Sequence, residues 1–143
     1  RRFEPSLVNA QRRRFGRSLK PFRRPWLWAG LWSLGIAAVV VASLLPAPDL
    51  PDLHVSDKSE HFTAYALLAA GAVQLYARRL SWLSVCIALA LLGIGLEFAQ
   101  GALTTTRTMD AADALANSLG VLAGLATSLT PWRDALLRFD GGS

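Results

Sequence analysis

Cysteine is almost missing from this chain. Cys86 is the sole example in 143 residues, which excludes an intrachain disulfide and any cysteine-built metal cluster. It sits among Ile, Ala and Leu, where a free thiol behaves as a small apolar filler. Charge is scarce as well: 17% of residues are Asp, Glu, Lys or Arg against 52% hydrophobic, a balance that points away from a soluble domain and toward a membrane protein. Acids are missing from the first 24 positions apart from Glu4, while nine of the fifteen Lys and Arg lie there. The remainder is slightly acidic, with six basic and nine acidic residues. No seryl or cysteinyl nucleophile signature is present, and no inverted repeat.

What remains is a basic arm, an apolar body and a short tail. Residues 1–25 form the arm, with Arg12-Arg13-Arg14 and Arg23-Arg24; residues 26–132 form the body; residues 133–143 form the tail, whose Gly141-Gly142-Ser143 end reads as a linker remnant. An arginine-rich arm can bind nucleic acid, but this one runs straight into a charge-free apolar segment. It is expected to touch anionic membrane headgroups and set topology, with no nucleic-acid partner. The chain opens at Arg1 without Met, so sequence is expected to precede it.

The expected fold class is all-α: a polytopic membrane protein, a four-helix transmembrane bundle with both termini cytoplasmic. The spans fall at about 26–45, 61–77, 80–100 and 111–130. The first, Trp26 to Leu45, crosses about 30 Å of hydrocarbon at about 1.5 Å per residue, and Pro46, Pro48 and Pro51 end it. A signal peptide competes for this segment, because Val-Val-Ala-Ser at 40–43 resembles a cleavage site; its length and the three spans after it favour a retained helix. Lys and Arg concentrate in the arm, at Arg78-Arg79 and at Arg133 and Arg138, which places those loops inside. Trp26, Trp28, Trp32, Trp82, Trp132 and Tyr76 fall at the same end and read as an interfacial belt. Small residues at Ala116, Gly120, Gly124 and Ser128, with Gly93 and Gly95 on the third span and Ala66, Ala70 and Val73 on the second, read as close helix contacts. Packing within the chain is favoured over a dimer contact.

The opposite end collects the ionisable groups. Residues three, four and seven apart share a helix face, so Asp57, Lys58, His61 and Tyr65 line up entering the second span. Glu97 and Gln100 pair at the end of the third. Asp110, Asp113 and Asn117 pair entering the fourth, with Arg107 in the loop before them. A charge at mid-bilayer costs about 2.5–3.5 kcal/mol on insertion scales, so intramembrane ionisable residues are functional candidates. Each has a plainer role too: Asp57 and Asp110 as N-caps or first-turn dipole partners, Lys58 as a snorkelling amine, Gln100 and Asn117 as interhelical ties. Glu97 is harder to explain that way. Inside its helix it needs Arg107, Lys58 or a proton. His61 is the one side chain here whose residue type has an ordinary pKa near neutrality, whereas His54 is incidental.

The strings Asp57-Lys58-Ser59-Glu60-His61-Phe62-Thr63-Ala64-Tyr65, Gly95-Leu96-Glu97-Phe98-Ala99-Gln100 and Arg107-Thr108-Met109-Asp110-Ala111-Ala112-Asp113, with Asn117, Gly120 and Gly124, resemble the VanZ-like family of small bacterial multi-span membrane proteins. The likeness covers roughly residues 46–125 and omits the arm. It implies a bacterial inner (cytoplasmic) membrane, a cell-envelope role and, from the namesake, a link to teicoplanin resistance. It implies no reaction.

Three functions fit. The first is accessory: an outer-leaflet pocket binds a lipid-linked precursor, a glycopeptide's lipid tail or a phospholipid head, with Lys58 and Arg107 drawing phosphate or carboxylate. The second is an intramembrane enzyme with Glu97 or Asp113 as general base, His61 as acid–base partner and Arg107 stabilising negative charge. No cofactor is expected, although Glu97, Asp110, Asp113 and His61 offer a subsidiary divalent-metal set. The third is a structural subunit or proton-linked transporter. A homo-oligomer or larger membrane complex is compatible with each.

Overall fold

A computed structural model describes residues 18–46 and 56–141. The Arg12-Arg13-Arg14 run, Pro48, Pro51, His54, Gly142 and Ser143 lie outside the described residues. The architecture is helical throughout these segments, with α1 at Pro25–Leu44, α2 at Asp57–Leu75, α3 at Arg79–Leu103 and α4 at Ala111–Ala126. Two 3-10 turns, Thr127–Leu129 and Pro131–Asp134, lead into the short α5, Ala135–Asp140. No strand forms among the described residues, only an isolated antiparallel bridge between Leu19 and Tyr76.

The helix ends follow local chemistry. Pro25 opens α1 at a position where a missing N–H costs nothing. Ser56 caps α2, its hydroxyl accepting from the Ser59 amide at 3.2 Å, so Asp57 is a first-turn acid and not the cap. The helix therefore starts four residues before the expected span. Asp110 does cap α4, its Oδ1 accepting from the Ala112 amide at 2.8 Å. Gly141, read from sequence as linker, terminates α5 at φ 69°, a left-handed conformation that glycine adopts freely.

Three stretches, Pro25–Leu44, Arg79–Leu103 and Ala111–Leu129, are long and apolar enough to cross a membrane. α2 is not one of them, because its first two turns carry Asp57, Lys58, Glu60 and His61. It is instead the centre of the bundle, burying Tyr65, Leu68, Ala69, Ala72, Val73 and Leu75. α1 buries no residue at all, although it is apolar on every side. Leu34, Leu67, Leu91 and Leu122 are all largely exposed. A surface of this kind suits hydrocarbon and would be an aggregation hazard in water.

α2 and α4 meet backbone to backbone. A Cβ on Gly120 would collide with the Phe62 carbonyl oxygen, and one on Gly124 with the Ala66 carbonyl oxygen. These two glycines of the small-residue stripe thus serve packing within the chain. The stripe stops short of Ser128, because α4 gives way to a 3-10 turn at Thr127. Gly93 admits Asn117 and Tyr65 at 3.0–3.1 Å from a hypothetical Cβ, whereas Gly95 faces open space and thins no contact.

The first and last described residues share one end of the bundle. Ala77 N–H donates to the Ser18 carbonyl and Lys20 N–H to the Leu75 carbonyl, both at 2.8 Å. Gln74 holds the tail from both sides of its amide, donating to the Trp132 carbonyl at 2.7 Å and accepting from the Leu136 amide at 3.0 Å. Of the expected aromatic belt, Trp26 and Trp132 are exposed. Trp32 turns toward α2: it fills the notch left by Gly71, donates to the Leu68 carbonyl at 2.9 Å and stacks edge-on against Tyr76. Trp28 donates to Asp140 at 2.8 Å.

Candidate functional site

The other end brings together the N-terminus of α2, the C-terminal half of α3, the 104–110 loop and the N-terminus of α4. Each polar residue follows from its position in these elements. His61 lies one turn after Asp57 on the same face of α2. Its Nδ1 is 2.9 Å from Asn117 Oδ1, across the α2–α4 contact that the glycines permit. With Nδ1 turned to this amide, Nε2 is directed toward carboxylates. Asp57 Oδ1 is 3.8 Å and Asp113 Oδ2 3.9 Å from Nε2, while Glu97 Oε1 is 3.9 Å from Nδ1. The expected convergence of His61, Glu97, Asp113 and Asn117 is therefore present.

Glu97 is 1% exposed, but neither Lys58 nor Arg107 pairs with it among the described residues. Of the expected partners, Arg107, Lys58 or a proton, the two cations are replaced by weaker contacts. Its Oε2 accepts from the Asp110 backbone amide at 3.2 Å, which pins the loop to α3, and its Oε1 faces His61. Lys58 is spent on α4, 3.3 Å from Asp110 and 3.5 Å from Asp113. The Ala112 amide first, and Lys58 second, hold the Asp110 carboxyl below the usual aspartate range.

Gln100 turns away from this cluster and donates to the Ser43 carbonyl at 2.9 Å, tying α3 to α1. That is the plainer role its residue type allowed. Thr104, which sequence reasoning did not single out, shapes the loop: its hydroxyl donates to the Gln100 carbonyl at 2.7 Å and accepts from the Arg107 amide at 3.2 Å. A hydroxyl residue directly after an apolar helix was the available signal.

A recess of about 110 Å³ opens beside the cluster, between α1, α2 and the loop. Asp57, Glu60, His61, Tyr65 and Arg107 give it polar walls, and Val39 and Ala42 an apolar one. Among the described residues, four buried polar atoms have no hydrogen-bond partner: Tyr65 Oη, Arg107 Nε, Glu97 Oε1 and Asp113 Oδ1. All four belong to this end of the bundle. Buried polar groups are normally satisfied, so a concentration of unsatisfied ones marks a place where structure alone does not explain the residues.

The arrangement has two chemical capacities. His61 between carboxylates can accept or release a proton. Asp57, His61 and Asp113 each offer a donor atom within 4.8 Å of the others, the trio best placed to surround a small cation. This differs from the set expected from sequence: Asp110 is engaged by Lys58 and Ala112, and Glu97 lies on the Nδ1 side of the ring. No family model, curated protein or solved structure matches the chain.

Proposed function

We propose that the chain is a VanZ-like protein of a bacterial inner membrane, with α2 as a fourth, protein-shielded span and both termini cytoplasmic. Its polar recess binds the head group of an envelope lipid in the outer leaflet, in an accessory or resistance role. The observation that carries this reading is the recess with unpartnered Tyr65 Oη and Arg107 Nε at its walls. Its volume suits a head group and is too small for a whole glycopeptide. Asp57 and Glu60 share these walls with Arg107, so a head group bearing both an ammonium and a phosphate matches them better than a simple anion. Lys58, occupied by Asp110 and Asp113, is left out of this binding role.

A second reading is favoured by His61, which lies within 3.9 Å of two carboxylates in addition to Asp57. It is acid–base turnover of the same lipid, with Glu97 or Asp113 as base. One experiment addresses both. Delipidated protein is titrated with phosphatidylethanolamine and retention is read by native mass spectrometry. Wild type is expected to retain the lipid intact, and Arg107→Ala to lose retention at least tenfold. Conversion of the lipid that Glu97→Gln abolishes while still binding would establish the enzyme instead, and equal retention by Arg107→Ala would remove the pocket reading altogether. Orientation has its own measurement: a cysteine at position 104 should be labelled from outside the cell and one at position 79 should not.

A further inference from the structure

At the end of the bundle opposite the polar recess, two adjoining cavities share three residues. The first, about 250 Å³, is a polar recess between the α2–α3 turn and the 3-10 segment, with Lys20, Arg79, Arg133 and Asp134 in its walls. The second, about 230 Å³, is a groove between α3 and α4 floored by Leu83, Leu122, Leu125 and Leu129. Arg79, Trp82 and Ser128 line both, so the basic compartment adjoins the apolar one.

The cations divide by what they already hold. Lys20 Nζ has all three donors engaged, by the Val73 carbonyl at 2.8 Å, the Arg133 carbonyl and Asp134 at 2.9 Å. It is a structural post. Arg79 has no acidic partner among the described residues, and Arg133 reaches only its neighbour Asp134, at 3.3 Å and largely exposed. Three cations against one carboxylate leave the recess positive, and the free charge sits on the two arginines beside the groove. A guanidinium pair matches phosphate oxygens in geometry as well as sign. The Trp82 indole is an amphipathic side chain of the kind found at headgroup level.

We propose that this end holds one anionic phospholipid, its phosphate between Arg79 and Arg133 and an acyl chain in the α3–α4 groove. The occupant is a lipid and not free phosphate because the basic recess borders an apolar groove that a soluble anion would leave exposed. The site is separate from the outer recess and rests only on the reading of the chain as a membrane protein. It adds a bound, stoichiometric lipid to the diffuse attraction between the basic arm and anionic headgroups.

The test uses the full chain carrying Arg107→Ala, which silences the recess beside His61 toward zwitterionic lipid, purified in detergent and delipidated, titrated with phosphatidylglycerol or phosphatidylcholine and read by native mass spectrometry. This protein should retain one phosphatidylglycerol in preference to phosphatidylcholine. Arg79→Ala and Arg133→Ala should each lower that retention on the order of fivefold, from the attraction of one basic side chain near a headgroup. Arg78→Ala, outside the recess, should leave it unchanged. Ala126→Trp, which fills the groove without altering charge, should lower it too. Glycerol 3-phosphate should not compete. Equal retention of both lipids, full retention by the double arginine variant, or displacement by glycerol 3-phosphate would each overturn the site. A chain recovered from cells in the soluble fraction would instead overturn the membrane reading on which it rests.

Discussion

The two ends of this bundle use polar residues in opposite ways. At the end holding Lys20 and α5, hydrogen-bonding capacity is consumed in fastening the chain to itself. Lys20 fills its three donors, Gln74 uses its amide nitrogen and oxygen, and Asp140 accepts from the Arg23 and Arg24 amides and from Trp28. At the other end Tyr65 Oη, Arg107 Nε, Glu97 Oε1 and Asp113 Oδ1 are buried with no hydrogen-bond partner among the described residues. One set of groups explains itself by the stability it confers. The other is retained at a cost to stability, the usual condition of groups kept for a ligand or a reaction.

Substitutions can break this contrast, beginning where the effect is largest. Gly124→Val drives a side chain into the Ala66 backbone, between two helices with no room to separate. A loss of at least about 3 kcal/mol is expected, the upper range for overpacking, read by unfolding in detergent. Wild-type stability in that variant would refute the direct backbone contact.

Lys20→Met comes next. It strips the Val73 and Arg133 carbonyls and Asp134 of a shared donor, with an expected loss of about 1–3 kcal/mol in the same assay. A fully stable variant would mean that the two ends do not differ in the way described.

The same ion pair sets a pH dependence of smaller size. The hydrogen bond from Lys20 holds the Asp134 carboxyl below its ordinary value of 3.8. Its folded-state pKa is thus lower than the unfolded one, so its stabilisation is present above the unfolded value and is lost as pH falls through the folded value. Wild type should lose this contribution on acidification below about pH 4, by the reference pKa for aspartate. The Lys20→Met protein should show a flatter profile over that window.

The smallest change in stability is expected from Tyr65→Phe. The hydroxyl has no partner to lose and its burial is a cost, so the folded state should gain stability, by up to about 1 kcal/mol, while lipid retention at the polar recess drops. Strong destabilisation with unaltered retention would invert the comparison and make Tyr65 a structural residue.

Much of the fold was legible because membrane-type helices announce themselves by composition. Trp26 to Leu45 contains no charge, and its helix begins one residue earlier than expected and stops one residue short. α2 was harder, since its centrality comes from contacts with α1, α3 and α4 and not from apolarity. The site was legible in membership more than in wiring. Spacing put Asp57, Lys58 and His61 on one face, and the structure joins them to Asp113 and Asn117. Spacing alone could not foresee that Lys58 goes to α4 and leaves Glu97 with a backbone amide. Nor could it assign Gln100 to the Ser43 carbonyl, because a partner 57 residues away leaves no local trace. The docking of the tail by Gln74 was illegible for the same reason. Gly141 reads as a spacer because a left-handed cap and a flexible linker require the same residue.

The glycine contacts carry a mechanical consequence. With no side chain between them at Gly120 and Gly124, α2 and α4 form a single stiff beam, and the His61–Asn117 hydrogen bond spans that beam. α1 is clipped to its neighbours by the Trp32–Leu68 bond near one end and the Gln100–Ser43 bond near the other. Any widening of the polar recess to admit a guest is therefore borne by the α1 wall, while the imidazole and its amide partner keep a constant separation.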